Sequence, residues 1–220
     1  MQVGILGGTG PAGRGLGLRL AVAGHDVILG SRDAERAQSV ADELHGAWPQ
    51  RSVALRGADN AGAAAADLVA VGTPWDAMVA TVRPLRDELA GKVVISMAVA
   101  LVKMGREVQA IIPPRGSMAG TLQAILPDSF VAAAFHHLPA ALLEDLDSGL
   151  EADVLVTSDH PEARATTIAL VDSMEGLRGL DLGSLARAAA CEAFTSICVA
   201  LNIRYKTATS LRVSGIDSAR

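Results

Sequence analysis

The sequence predicts an α/β protein: a Rossmann-like, doubly wound and mostly parallel sheet carrying a small α/β appendage at its C-terminal end. Three observations lead there. Short apolar runs alternate with amphipathic stretches along most of the 220 residues, the order that βαβ units produce. Directly behind the first run, Val3-Gly4-Ile5-Leu6, comes Gly7-Gly8-Thr9-Gly10-Pro11-Ala12-Gly13. Half of the residues are hydrophobic but only 3% are aromatic. The core must therefore be built from Ala, Val, Leu and Ile, which suits strands covered on both faces.

Taken in order, strands are expected at residues 2–6, 26–30, 52–56, 68–71, 92–96 and 130–135, with helices at 11–23, 34–44, 60–66, 76–89 and 117–126. Pro11 suits a first helical turn, and Gly24 is placed to end that helix. Gly15 and Gly17 weaken the helix locally but permit close packing on the sheet. Asp33 can cap the second helix and Ser117 the fifth. Residues 113–116, Pro-Pro-Arg-Gly, form an irregular loop after the fifth strand, where open α/β sheets keep their ligand crevices. Beyond Leu150 a strand at 154–157, a helix at 161–174, a strand at 177–182 and a long apolar helix at 185–205 complete the chain. The expected division is a nucleotide-binding region, 1–142, and a small C-terminal region, 143–220, that completes the cleft.

A net charge of −5 argues against a nucleic-acid partner and offers no attraction to a membrane surface. The first strand begins at residue 2 with no basic stretch ahead of it, so no signal peptide is expected. Residues 186–203 are apolar but carry Arg187 and Glu192, which reads as a buried helix rather than a membrane span. Cys191 and Cys198 lie two helical turns apart, roughly 10 Å at about 1.5 Å per residue, too far for a disulfide. A reduced, cytoplasmic protein follows, and its apolar last helix suggests a homodimer.

The functional signal starts at the glycine turn. Gly8-x-Gly10-x-x-Gly13 fits the dinucleotide fingerprint, in which backbone approaches a pyrophosphate at a helix N-terminus. Some twenty residues on, where an acid would bind the 2′-hydroxyl of NAD, stand Ser31 and Arg32, with Arg36 one turn later. A hydroxyl and two guanidinium groups suit a 2′-phosphate, so the cofactor is expected to be NADP(H).

Proton-transfer machinery is harder to find. The only tyrosine, Tyr205, is followed at once by Lys206 and lacks the Tyr-x-x-x-Lys spacing of short-chain reductases. None of Lys92, Lys103 and Lys206 lies on a helix after a nucleotide domain as a hydroxyacid dehydrogenase lysine would, and no metal-ligand spacing occurs. Hydride transfer between two cofactors needs little acid–base help. Trp75, in Thr73-Pro74-Trp75, either fills the core or flanks the nicotinamide. His136 and His137 end the last strand of the first region, where neighbours point to opposite faces. One is expected to face the crevice, as a hydrogen-bonded core histidine or against a polar heterocycle.

The set Gly7-Gly8-Thr9-Gly10, Gly30-Ser31-Arg32, Thr73-Pro74-Trp75, Phe135-His136, Pro139-Ala140-Ala141 and Asn202-Ile203-Arg204-Tyr205-Lys206 resembles the coenzyme F420-dependent NADP oxidoreductases over nearly the full length. The resemblance implies hydride transfer between NADPH and the deazaflavin coenzyme F420. It implies that Gly8 and Thr9 to Ala12 (Thr9, Gly10, Pro11, Ala12) serve the pyrophosphate and that Ser31, Arg32 and Arg36 hold the 2′-phosphate. Trp75, Val99 and Ala140 would line the nicotinamide pocket, with His136 and Thr195 beside the deazaflavin. Arg115 and the stretch Arg204, Lys206, Arg212 are candidates for the coenzyme's anionic tail. Two positions depart from the family: its last-helix arginine reads Ala189, and the loop after Ser96 reads Met97-Ala98. They leave open an NADPH-dependent reductase of a flavin, quinone or ferric chelate, and a non-catalytic NADP-sensing module.

Overall fold

The computed structural model of the chain describes residues 1–216. Its strands are β1 (Gln2–Leu6), β2 (Asp26–Ser31), β3 (Leu55–Asp59), β4 (Leu68–Val71), β5 (Val93–Ser96), β6 (Leu101–Met104), β7 (Glu107–Ala110), β8 (Phe130–Ala133), β9 (Ala152–Ser158) and β10 (Leu177–Gly183). The helices are α1 (Pro11–Val22), α2 (Ala34–Ala47), α3 (Asn60–Ala64), α4 (Trp75–Val82), α5 (Arg86–Leu89), α6 (Met118–Ile125), α7 (Ala140–Glu144), α8 (Pro161–Asp172) and α9 (Ala188–Tyr205). Eight strands make one sheet in the order β10-β9-β8-β5-β4-β1-β2-β3, and β6 and β7 form a separate hairpin.

Parallel pairing runs from β3 to β8, with Val3 opposite both Val27 and Leu68, and Val93 opposite Phe130. The chain then reverses: β9 is antiparallel to β8, and β10 returns parallel to β9. The strands of residues 143–220 thus extend the same sheet. Alternate side chains feed two cores. Val3, Ile5, Val27 and Leu29 pack under α1, α2, α7 and α8, whereas Leu6, Ile28, Val69 and Val71 pack under α4 and α6. Each fully buried Leu, Ile or Val contributes about 1.5–3 kcal/mol. Small residues let the layers close: a Cβ on Gly17 would stand 2.7 Å from the Leu29 side chain.

Several elements differ from their sequence expectations. The third strand lies three residues later, because its pairing with β2 matches Val27 to Leu55 and Ser31 to Asp59; this edge strand buries little, so apolar content marks it poorly. The single helix expected at 76–89 is divided into α4, a 3-10 turn at Arg83–Leu85, and α5. Pro84 lacks the N–H that would continue the ladder. Strand β8 stops at Ala133, and the chain turns through Phe135 at φ 67°. The β6–β7 hairpin and α7 had no counterpart in the expected elements. The hairpin turns at Gly105, φ 63°.

Other expectations hold. Asp33 accepts from the N–H groups of Glu35 and Arg36 at 3.0 and 3.2 Å, and Ser117 from that of Gly120 at 2.8 Å. Gly24 ends α1 at φ 89°. Both cysteines are buried free thiols. The last helix is long and apolar enough to cross a membrane by composition. Expected to be buried, it instead buries one face only, through Ala188, Cys191, Thr195 and Cys198, while Ile197, Leu201 and Ile203 are exposed. Beyond it, residues 211–213 lie on β9: Asp153 N–H donates to Leu211, and its carboxylate takes the Val213 N–H.

Candidate functional site

The loop after β1 is shaped by its glycines. Gly7 sits at φ 71°, and a Cβ there would stand 2.6 Å from the Thr73 methyl. Gly8 donates its N–H to Ile5 at 3.1 Å and Gly30 at 2.8 Å, tying the loop to the end of β2. A Cβ on Gly13 would stand 2.7 Å from Gly8, so the third glycine lets α1 start against the loop. Gly10 is the N-cap, with no side-chain hydrogen bond to the helix, and Pro11 occupies the first turn. The first N–H groups of α1 are left for an anion, and the helix dipole favours one.

Two cavities follow from this loop. The first, about 560 Å³, is lined by Thr9, Gly10, Ser31, Arg32 and Arg36, with Thr81 and Leu85 on the opposite wall. Asn60 also reaches it and accepts the Gly7 N–H at 3.3 Å. Asp33 takes the second and third N–H groups of α2, so an anion here would be held mainly by side chains. The second cavity, about 340 Å³, is lined by Pro11, Ala12, Trp75, Val99, His136 and Thr195. Gly10, Gly72, Thr73 and Pro74 border both. The result is one cleft across the C-terminal ends of β1, β4 and β5.

Trp75 does two things. Its indole Nε1–H donates to the Leu101 carbonyl at 3.2 Å, bracing the hairpin, while the residue lines the cleft. The two histidines part company in a turn rather than along a strand. His137 hydrogen-bonds the Asp153 carbonyl through Nε2 at 2.7 Å and packs edge-on against Phe194. His136 is 7% exposed, and neither ring nitrogen has a partner among the described residues. Burial, then the neighbouring His137, pushes its pKa down to about 3. The neutral imidazole therefore keeps one N–H donor and one acceptor, both buried and unpaired among the described residues, at the edge of the cleft. Thr195 donates its hydroxyl to the His136 carbonyl at 3.2 Å.

Of the residues singled out from sequence, Thr9, Gly10, Ser31, Arg32 and Arg36 meet in the first cavity, and Gly10, Pro11, Ala12, Trp75, Val99, His136 and Thr195 in the second. Gly8 and Ala140 line neither. Gly8 shapes the loop from behind, and Ala140 opens α7, whose carbonyl backs onto Gly15. Arg115, Arg204, Lys206 and Arg212 also lie outside both cavities; Arg212 is 3.9 Å from Glu151. Two residues escaped the sequence reading. Asn60 is a polar residue starting a helix, and Glu192 is a lone acid in an apolar helix three places before Thr195. That second pattern was visible, but its partner was not.

The chain is similar to known proteins. Residues 2–100 match the family described as NADP oxidoreductase coenzyme F420-dependent. The F420-dependent NADP reductase of Methanocaldococcus jannaschii is 35% identical over 223 residues, covering 99% of this chain and 100% of its own. The chain belongs to the F420-dependent NADP reductase family. The corresponding protein of Methanothermobacter marburgensis is 37% identical over 211 residues, covering 94% of both chains. A crystal structure from Arthrobacter sp. FB24, described as an F420-dependent NADP-reductase, superposes with a TM-score of 0.82 at 25% identity, covering 97% of this chain and 99% of that one. Membership therefore extends past residue 100 to the hairpin, His136 and α9, which form the far half of the cleft.

Proposed function

We propose that this protein is an oxidoreductase that passes a hydride between NADP(H) and coenzyme F420, each bound in one half of the cleft. The observation that carries this reading is the continuity of the two cavities through Gly10, Gly72, Thr73 and Pro74, with full-length family membership behind it. When bound, the two coenzymes supply the redox chemistry itself. The chain supplies binding, orientation and exclusion of water.

In the first half, Ser31, Arg32 and Arg36 hold the 2′-phosphate by charge-assisted hydrogen bonds. Thr9 to Ala12 cradle the pyrophosphate at the start of α1, on a loop whose shape Gly8 sets. The nicotinamide end reaches into the second cavity, where Trp75 and Val99 wall it, and Ala140 stands behind on α7. In the second half, neutral His136 offers a hydrogen bond toward the acceptor ring, where charge develops during reduction. Its low pKa keeps it uncharged at neutrality. Thr195 holds the His136 backbone. Residues 1–142 act as the dinucleotide-binding region, and residues 143–220 complete the cleft through α9.

The protein works in the cytoplasm as a homodimer, with small-molecule coenzymes and neither nucleic acid nor membrane as partners. The exposed Ile197, Leu201 and Ile203 of α9, flanking a groove of about 500 Å³ beside Val108, support a second copy on that face. The decisive experiment mixes protein, NADPH and oxidised coenzyme F420 and follows the coenzyme's visible absorbance. Bleaching is expected. Tight NADPH binding without bleaching, or bleaching only of a flavin, would overturn the reading.

A further inference from the structure

Of the two charged residues in α9, Glu192 and Arg204, only Glu192 is buried, at 4% exposure. Its two oxygens reach across the sequence to another helix. Oε2 accepts the Met118 N–H at 2.8 Å and Oε1 the Ala119 N–H at 3.0 Å. These are the first two N–H groups of α6, and Ser117 takes the next. A carboxylate at that end of a helix is held by both hydrogen bonds and the dipole.

The clamp sits close behind the cleft. Thr195 is three residues on, so the two side chains share one side of α9. Val99 borders both the cleft and a small void beside Glu192. Thr195 in turn donates to the His136 carbonyl. A continuous line of contacts thus runs from the start of α6 through Glu192 and one helical turn of α9 to His136.

The geometry points to Glu192 as a positioning residue for the acceptor half of the cleft: it pins α9 to the start of α6 and so sets where Thr195 holds His136. The inference rests on the reading of that half as the coenzyme F420 site. Glutamine is a sharp probe because its amide offers one acceptor and one donor. One of the Met118 and Ala119 N–H groups would then face an NH2 group.

The test uses the full chain with NADPH and coenzyme F420. In Glu192→Gln the KM for coenzyme F420 rises on the order of tenfold, while the Kd for NADPH stays within about twofold. In a Thr195→Val background the same substitution adds less than about twofold, because the two act in series. Equal losses for both coenzymes, or effects that multiply across the two backgrounds, overturn the inference. Glu192→Asp keeps the charge on a shorter stem and is expected to give an intermediate effect; if neither variant binds NADPH, Glu192 serves the whole fold and the specific role fails. A wild type that binds NADPH but leaves coenzyme F420 oxidised overturns the functional reading, and this inference with it. A wild type that turns over beside an unchanged Glu192→Gln overturns this inference alone.

Discussion

The Thr195 hydroxyl donates to the His136 carbonyl at 3.2 Å, joining the last helix to the turn that follows β8. Those residues lie 59 positions apart, and the bond is buried. Removing the hydroxyl leaves a buried carbonyl without that partner, at a cost of about 1–3 kcal/mol. In Thr195→Val, kcat/KM for coenzyme F420 should fall roughly five- to a hundredfold, with NADPH affinity unchanged. Steady-state kinetics with each coenzyme varied in turn would check it.

Arg32 and Arg36 line the first cavity beside Ser31, the end of the cleft proposed for the 2′-phosphate. A lost charge-assisted hydrogen bond is worth about 1.5–3 kcal/mol. Arg32→Ala should therefore raise the KM for NADPH roughly ten- to hundredfold, and leave that for NADH nearly unchanged. Equal losses for the two dinucleotides would remove the 2′-phosphate role.

His136 and Glu192 give opposing pH dependences of stability. The folded His136 resists protonation down to about pH 3 because it is buried, whereas an unfolded histidine takes a proton near 6.5. Its contribution is full above 6.5 and is lost as pH falls toward 3, at up to about 1.4 kcal/mol per pH unit. Burial pushes Glu192 the other way, up to about 7, against two N–H groups that favour the ionised form. Its contribution is full below the unfolded value of 4.5 and is lost as pH rises through about 7. The two slopes oppose one another between 4.5 and 6.5. Urea titrations across that window should show His136→Gln losing stability, relative to wild type, as pH rises, and Glu192→Gln losing it as pH falls. Matching curves for all three proteins would contradict both assignments.

Asp153 is fully buried, and Arg178 meets it with two hydrogen bonds of 2.8 and 2.7 Å. Burial raises the Asp153 pKa, but Arg178 and the Val213 N–H outweigh it and hold the carboxyl below its ordinary value. The same guanidinium donates to the Val213 and Ile216 carbonyls. Arg178→Ala leaves a buried carboxylate without its cation and should lower the thermal midpoint by several degrees. It should also expose residues 211–216 to proteolysis, while NADPH affinity is retained.

The first cavity was the more legible in the sequence. Gly7 to Gly13, Ser31, Arg32 and Arg36 are local signals, each set by a turn, a strand end or the first turn of a helix. Their chemistry requires particular residue types at short spacings. The second cavity is assembled from Trp75, Val99, His136 and Thr195, on four separate segments. No local pattern announces that His136 has no partner among the described residues while His137 bonds the Asp153 carbonyl. The strand expected to run through residue 135 ends at Ala133, and Phe135 takes a left-handed φ that a bulky residue rarely adopts. That turn decides which histidine enters the cleft. The β6–β7 hairpin has no comparable signal, since its strands are only four residues long, β6 does not alternate, and among the described residues neither joins another strand.

By itself the chain's order of residues determined the alternating α/β plan, the dinucleotide loop and the preference for an extra phosphate, because these follow from backbone sterics and charge over a few neighbouring positions. Tertiary structure alone decided the reversal of direction at β9, the pairing of Glu192 with α6, and the bond between Thr195 and His136. Those depend on which distant donors and acceptors burial brings together. Inside the protein an unpaired polar group is costly, and only the folded packing shows where each one finds its partner.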